Sequence, residues 1–105
     1  MPMNQTLGIA VTTERHLDHL IGLVKAARAK GKQVLVFFTG RGALLTASPR
    51  LTELDGLAEM AVCKVSLQSH GLSTERPIPG IPAKNVTNQD WHAAMIDRAD
   101  RYISL

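Results

Sequence analysis

The chain holds one cysteine, Cys63, and it is the residue best suited to covalent chemistry. Glu59 to Cys63 reads as a buried strand, and Lys64 to His70 reads as two turns of helix. The thiol therefore falls where a strand enters a helix. There it would face unpaired backbone N–H groups and the positive end of the helix dipole, both of which favour thiolate. Arg41 and Lys64 are the cations expected to add to the effect. Thiolate is the nucleophilic, sulfur-accepting form. The alternative is packing, because free cysteine is among the most buried residue types.

Other chemistry-bearing residues make weaker patterns. His70 lies two helical turns beyond Cys63, roughly 10 Å by helix rise, which suits a C-terminal turn better than a Cys–His pair. His16 and His19 share a helix face but lack further ligands at metal spacing, so they read as solvated positions. Thr39-Gly40-Arg41-Gly42 follows a strand and could cradle an anion, yet it matches neither dinucleotide nor Walker patterns. A tight turn using glycine's dihedral freedom is the preferred reading.

The elements that must position these residues alternate along the chain. Leu7 to Thr12 is a short β-branched run, followed by Thr12 or Thr13 as helix N-cap and Glu14 in the first turn. Leu17, Leu20, Ile21, Val24 and Ala27 then form one apolar helix face, closed by Gly31. Gln33 to Thr39 is apolar on both faces, as a central parallel strand requires. Ser48-Pro49 opens a short helix carrying Leu51, Leu54 and Leu57 and ending near Gly56. Three of the five prolines, Pro77, Pro79 and Pro82, make Ser73 to Lys84 a loop. Asn88 caps a helix over Gln89 to Arg98, with Trp91, Ala94, Met95 and Arg98 along one side. Trp91 reads as core or as an oligomer contact. Arg101 to Leu105 is a last strand.

This order predicts one α/β domain, 1–105: a three-layer α/β/α sandwich around a mostly parallel, Rossmann-like sheet of about five strands. Sites in such sheets lie at the carboxyl ends of the strands. Thr12, Thr13, Thr39, Gly40, Arg41 and Lys64 are thus the expected pocket residues around Cys63.

Composition narrows the function. With 105 residues and 45% hydrophobic content, the chain can bury a core without a metal or disulfide. The net charge of +3 is scattered, which argues against a nucleic-acid surface. One cysteine suits a reducing compartment, and the start, Met1-Pro2-Met3-Asn4-Gln5-Thr6, has no signal-peptide pattern. The longest apolar run, Val34 to Phe38, is too short to span a membrane. A cytoplasmic protein without a cofactor is expected.

Several stretches resemble the DsrE/DsrF-like family: Thr13-Glu14-Arg15-His16 through Gly31 and on to Gly42, Val62-Cys63 with its short helix to His70-Gly71, and Ala99-Asp100-Arg101-Tyr102-Ile103. The Pro-rich segment has no counterpart in that pattern. The resemblance implies a parallel five-stranded sandwich that forms homo- or hetero-oligomers such as trimers and hexamers. It also implies sulfur relay, in which a cysteine at the position of Cys63 carries a persulfide between donor and acceptor proteins. Two other functions stay open: a non-catalytic oligomeric assembly module with Cys63 as packing, and a small-ligand or nucleotide-binding domain.

Overall fold

The computed structural model describes residues 5–105. The Met1–Asn4 start, read above for a leader, lies outside them.

Alternating apolar runs assemble into a five-stranded, all-parallel sheet: β1 (Thr6–Val11), β2 (Gln33–Phe38), β3 (Glu59–Cys63), β4 (Val86–Thr87) and β5 (Arg101–Ser104). Their order is β4-β3-β2-β1-β5. Three α-helices accompany them: α1 (Leu17–Ala29), α2 (Lys64–Ser69) and α3 (Gln89–Arg98). The expected α/β sandwich is the fold of this chain. Gly31 closes α1 as anticipated: its φ is +76°, and Lys32 N–H reaches back to the Ala27 carbonyl at 3.0 Å, a Schellman closure.

Strand alternation divides the sheet's side chains between two unequal layers. Ile9, Val11, Val34, Val36, Phe38, Met60 and Val62 point into the larger core, with Leu20, Ile21, Val24 and Leu67 from the helices. Ala10, Leu35, Phe37, Ala61 and Cys63 point to the opposite face, where Met95 and Trp91 of α3 cover them. On that face β1 presents small residues. A Cβ on Gly8 would lie 3.0 Å from the Ala99 Cβ and 3.3 Å from the Met95 Cγ, so the bare glycine lets the C-terminal half of α3 lie close to the sheet. The crossover from β4 through α3 to β5 thus carries the chain to the far side of β1, and Thr6 and Asp100 lock it there. Thr6 N–H donates to Asp100 Oδ2 at 2.7 Å, and Asp100 N–H donates to the Thr6 carbonyl at 2.9 Å.

Three local expectations change. Thr12 and Thr13 do not cap α1, which starts at Leu17 after His16 without a side-chain cap. Their N–H groups donate instead to the Leu105 carbonyl at 2.7 and 3.2 Å, so Glu14 lies in the loop before the helix. The β2–β3 connection is 3-10 rather than α-helical, over Gly40–Ala47 and Pro49–Leu54. Ser48 still caps the second piece, accepting from Arg50 N–H. Finally, β4 is a two-residue strand that the Pro-rich approach conceals; buried Asn85 ties its entrance to β3 by donating to the Met60 carbonyl at 2.9 Å.

The two glycines of Thr39-Gly40-Arg41-Gly42 serve different needs. Gly40 takes a φ of +55°, which is the dihedral freedom expected. Gly42 is required by contact: a Cβ there would overlap the Val11 carbonyl of β1. Gly42→Ala should therefore force the 3-10 segment off the sheet and destabilise the fold by about 2–3 kcal/mol, the scale of overpacking a tight core. A urea-unfolding comparison with wild type measures this.

Candidate functional site

Cys63 ends β3 on the α3 face and is 6% exposed. Its register neighbour on β4 is Thr87. On the other side Phe38 pairs with Val62, and one step further along that ladder sets Thr39 level with Cys63. The thiol is therefore flanked by the ends of two strands and roofed by the first turn of α3.

Donors near the thiol decide its ionisation. Burial pushes the thiol pKa up, but the Ser66 hydroxyl and N–H, the Gln89 side chain and the Val65 N–H together outweigh it and hold the thiol below its ordinary value. No α2 N–H makes a regular capping hydrogen bond to Cys63. The combined effect of these donors is to favour negative charge on the sulfur. Helix α2 has only six residues, so the expected dipole contribution gives way to these individual groups.

Ser66 is well placed for its part. It is 8% exposed, and its oxygen accepts from Gly40 N–H at 2.9 Å. That bond occupies an oxygen lone pair and leaves the hydroxyl proton free for the sulfur. Gln89 Nε2 donates to Thr39 Oγ1 at 3.1 Å. Thr39 and Gly40 thus join Cys63 through Gln89 and Ser66.

The remaining expected pocket residues sit apart. Thr12 and Thr13 follow β1, about two strand spacings or ~10 Å from Cys63. Thr12 Oγ1 donates to the Leu105 carbonyl at 3.0 Å, while Thr13 Oγ1 is buried with no partner. The Arg41 guanidinium pairs with Glu14 at 2.6 Å and holds that carboxyl below its usual range, so its charge is committed away from the thiol. Lys64 follows Cys63 in sequence with its side chain exposed. The Gly40 and Gly42 N–H groups are already used, by Ser66 and by the Thr39 carbonyl, which removes most of the anion cradle considered for that turn. His70 closes α2, its Nδ1 2.9 Å from the Ser66 carbonyl. Among the described residues no three His, Cys, Asp or Glu side chains gather as metal ligands.

Ser66, Gln89, His92 and Tyr102 are the site residues that sequence reading missed. Ser66 had a signal, the i, i+3 spacing from Cys63 that puts it in the first helical turn. Gln89 had a weaker one, its place after an Asn88 cap. His92 and Tyr102 carry no motif. His92 stacks on Phe37 with centroids 5.1 Å apart, and Trp91 stacks on the same ring at 5.8 Å.

Compared with known proteins, the chain matches no family model and no curated sequence. No helix among the described residues is long and apolar enough to cross a membrane.

Two tests follow from this geometry. Ser66→Ala removes a donor from the thiol and an acceptor from Gly40. The alkylation midpoint of Cys63 should rise with pH, and stability should fall by about 1 kcal/mol, the scale of one hydrogen bond. Burial lowers the His92 pKa from 6.5, so the unfolded chain binds the extra proton first. His92 then costs stability as pH falls below about 6.5 and through its folded value. In thermal melts between pH 7.5 and 5, wild type should lose more stability than His92→Phe, which keeps the ring stack.

Proposed function

We propose that this protein carries sulfane sulfur on Cys63. The observation that supports the reading is a nearly buried thiol at the end of β3, where the strand enters α2, held below its ordinary pKa by neighbouring donors despite its burial. The likeness of Val62-Cys63, its helix and the flanking strands to the DsrE/DsrF-like family points the same way. In this reading the donor and acceptor are separate thiol-bearing partners, and the domain acts in the reducing cytoplasm as a homo-oligomer.

The chemistry needs no metal or external oxidant. The Cys63 thiolate attacks the terminal sulfur of a donor persulfide, R–S–S–H. A new S–S bond forms on Cys63, the donor S–S bond breaks, and the electron pair leaves on R–S⁻. The sulfane sulfur keeps its oxidation level and its proton. An acceptor thiolate then attacks that terminal sulfur, and Cys63 departs as thiolate. The donors that stabilise the resting thiolate also stabilise it as the leaving group of this second step.

Incubation with glutathione persulfide followed by intact-mass spectrometry tests the proposal. Wild type should gain the mass of one sulfur atom, reductant should remove it, and Cys63→Ser should gain none. A folded wild-type protein that takes up no sulfur, and whose thiol also resists alkylation, would make Cys63 a packing residue and leave the domain an assembly module.

A further inference from the structure

A chain of polar contacts runs from β5 to Cys63 across the α3 face. Tyr102 Oη lies 2.9 Å from His92 Nε2. His92 Nδ1 lies 3.0 Å from Gln89 Oε1. Gln89 Nε2 donates to Thr39 Oγ1 at 3.1 Å, and Thr39 stands level with Cys63 one step beyond the Phe38–Val62 pair, which sets the amide beside the thiol. Three separate elements, β5, α3 and the end of β2, therefore meet in one network.

The donor and acceptor rules allow this network two polarities. In the first, Tyr102 donates its hydroxyl proton to Nε2, and His92 donates Nδ1–H to Gln89 Oε1. The amide N–H₂ is then turned toward Thr39 and Cys63. In the second, every bond reverses: His92 carries its proton on Nε2, Gln89 donates to Nδ1, and the amide oxygen faces Thr39 and the sulfur. A carbonyl oxygen beside the sulfur would repel thiolate, whereas an N–H₂ group would attract it. His92 is flat on Phe37, so its ring is held in plane between its two partners and either tautomer keeps both contacts.

We propose that Gln89 is the donor that poises Cys63, and that His92 and Tyr102 are positioning residues which hold its amide in the N–H₂-inward orientation. The proposal rests on the reading of Cys63 as a reactive thiol. It makes the tautomer of a histidine on α3 and the protonation of a cysteine on β3 two ends of one hydrogen-bond chain.

Nitrogen chemical shifts of His92 in wild-type protein at pH 7.5 read the tautomer directly. The relay requires a protonated Nδ1 and a bare Nε2; the opposite tautomer overturns it. The second measurement is the rate of Cys63 alkylation against pH. Gln89→Leu should shift the midpoint upward and slow the reaction at pH 7 by roughly 3- to 10-fold, since thiolate fraction scales tenfold per pKa unit. The high-pH plateau should stay near wild type, which a merely structural defect would not allow. His92→Phe keeps the stack but cannot donate to Oε1, and should move the midpoint the same way. His92→Asn offers an N–H near the Nδ1 position and should restore much of it. Tyr102→Phe should give the smallest shift. An unchanged midpoint in Gln89→Leu would overturn the relay. Neither measurement needs sulfur transfer, so a protein that keeps the relay but accepts no sulfur would sink the carrier function and leave this inference standing.

Discussion

The ring of Phe37 is the point on which the α3 face depends. It is fully buried in the middle of the sheet, and Trp91 and His92 lie nearly parallel to it. Burying such a ring contributes about 2–3 kcal/mol, and each offset stack adds about 1 kcal/mol more. Helix α3 otherwise buries fully only Met95. Its other side chains are partly or wholly exposed, so the ring and Met95 are what hold its two ends against the sheet. That docking sets the first turn of α3 over the carboxyl ends of β2 and β3. Gln89 reaches Thr39 and Cys63 because Trp91 and His92, two and three residues on, are seated.

The same face shows how the sheet makes room. Gly8 and Ala10 of β1 leave space for Ala99 and Met95, and the Thr6–Asp100 pair returns the chain to β1 at once. The opposite face is built differently, with large apolar side chains buried on β1, β2 and β3 meeting α1, α2 and the 3-10 segments. One layer is a thick hydrocarbon core that supplies stability. The other is thin and aromatic, and polar groups penetrate it at the strand ends. A thiol on the thick side would meet only hydrocarbon, and burial would raise its pKa unopposed. On the thin side it meets Ser66 and Gln89. Parity along β3 makes the difference: Met60 and Val62 point one way, and Ala61 and Cys63 the other.

Much of this architecture was legible from residue order. The both-face hydrophobicity of Gln33 to Phe38 marks a central parallel strand. Gly31 and Gly71 close their helices, Asn88 caps α3 by accepting from Asp90 N–H, and Glu59–Cys63 leads directly into α2. These are short-range effects: capping, glycine dihedrals and side-chain period act within a few residues. The expected Thr12 or Thr13 cap failed because the Leu105 carbonyl, far along the chain, takes both N–H groups. The 3-10 form of 40–47 was hidden because the need for Gly42 lies in its approach to Val11, a contact between different elements. Strand β4 is too short to carry a period of its own.

By itself, then, the sequence determined an α/β domain with its sole thiol at the junction of a buried strand and a helix, because hydrophobic period and capping chemistry are local. Only the tertiary structure decided what surrounds that thiol. It put Ser66 under Gly40, spent Arg41 on Glu14, set Thr12 and Thr13 about two strands away, and brought Gln89, His92 and Tyr102 into line with Cys63. Those partners come from elements far apart in the chain. Their meeting depends on strand order, on a crossover to the second face, and on an aromatic stack whose members carry no motif, and none of these is encoded within the span of a single element.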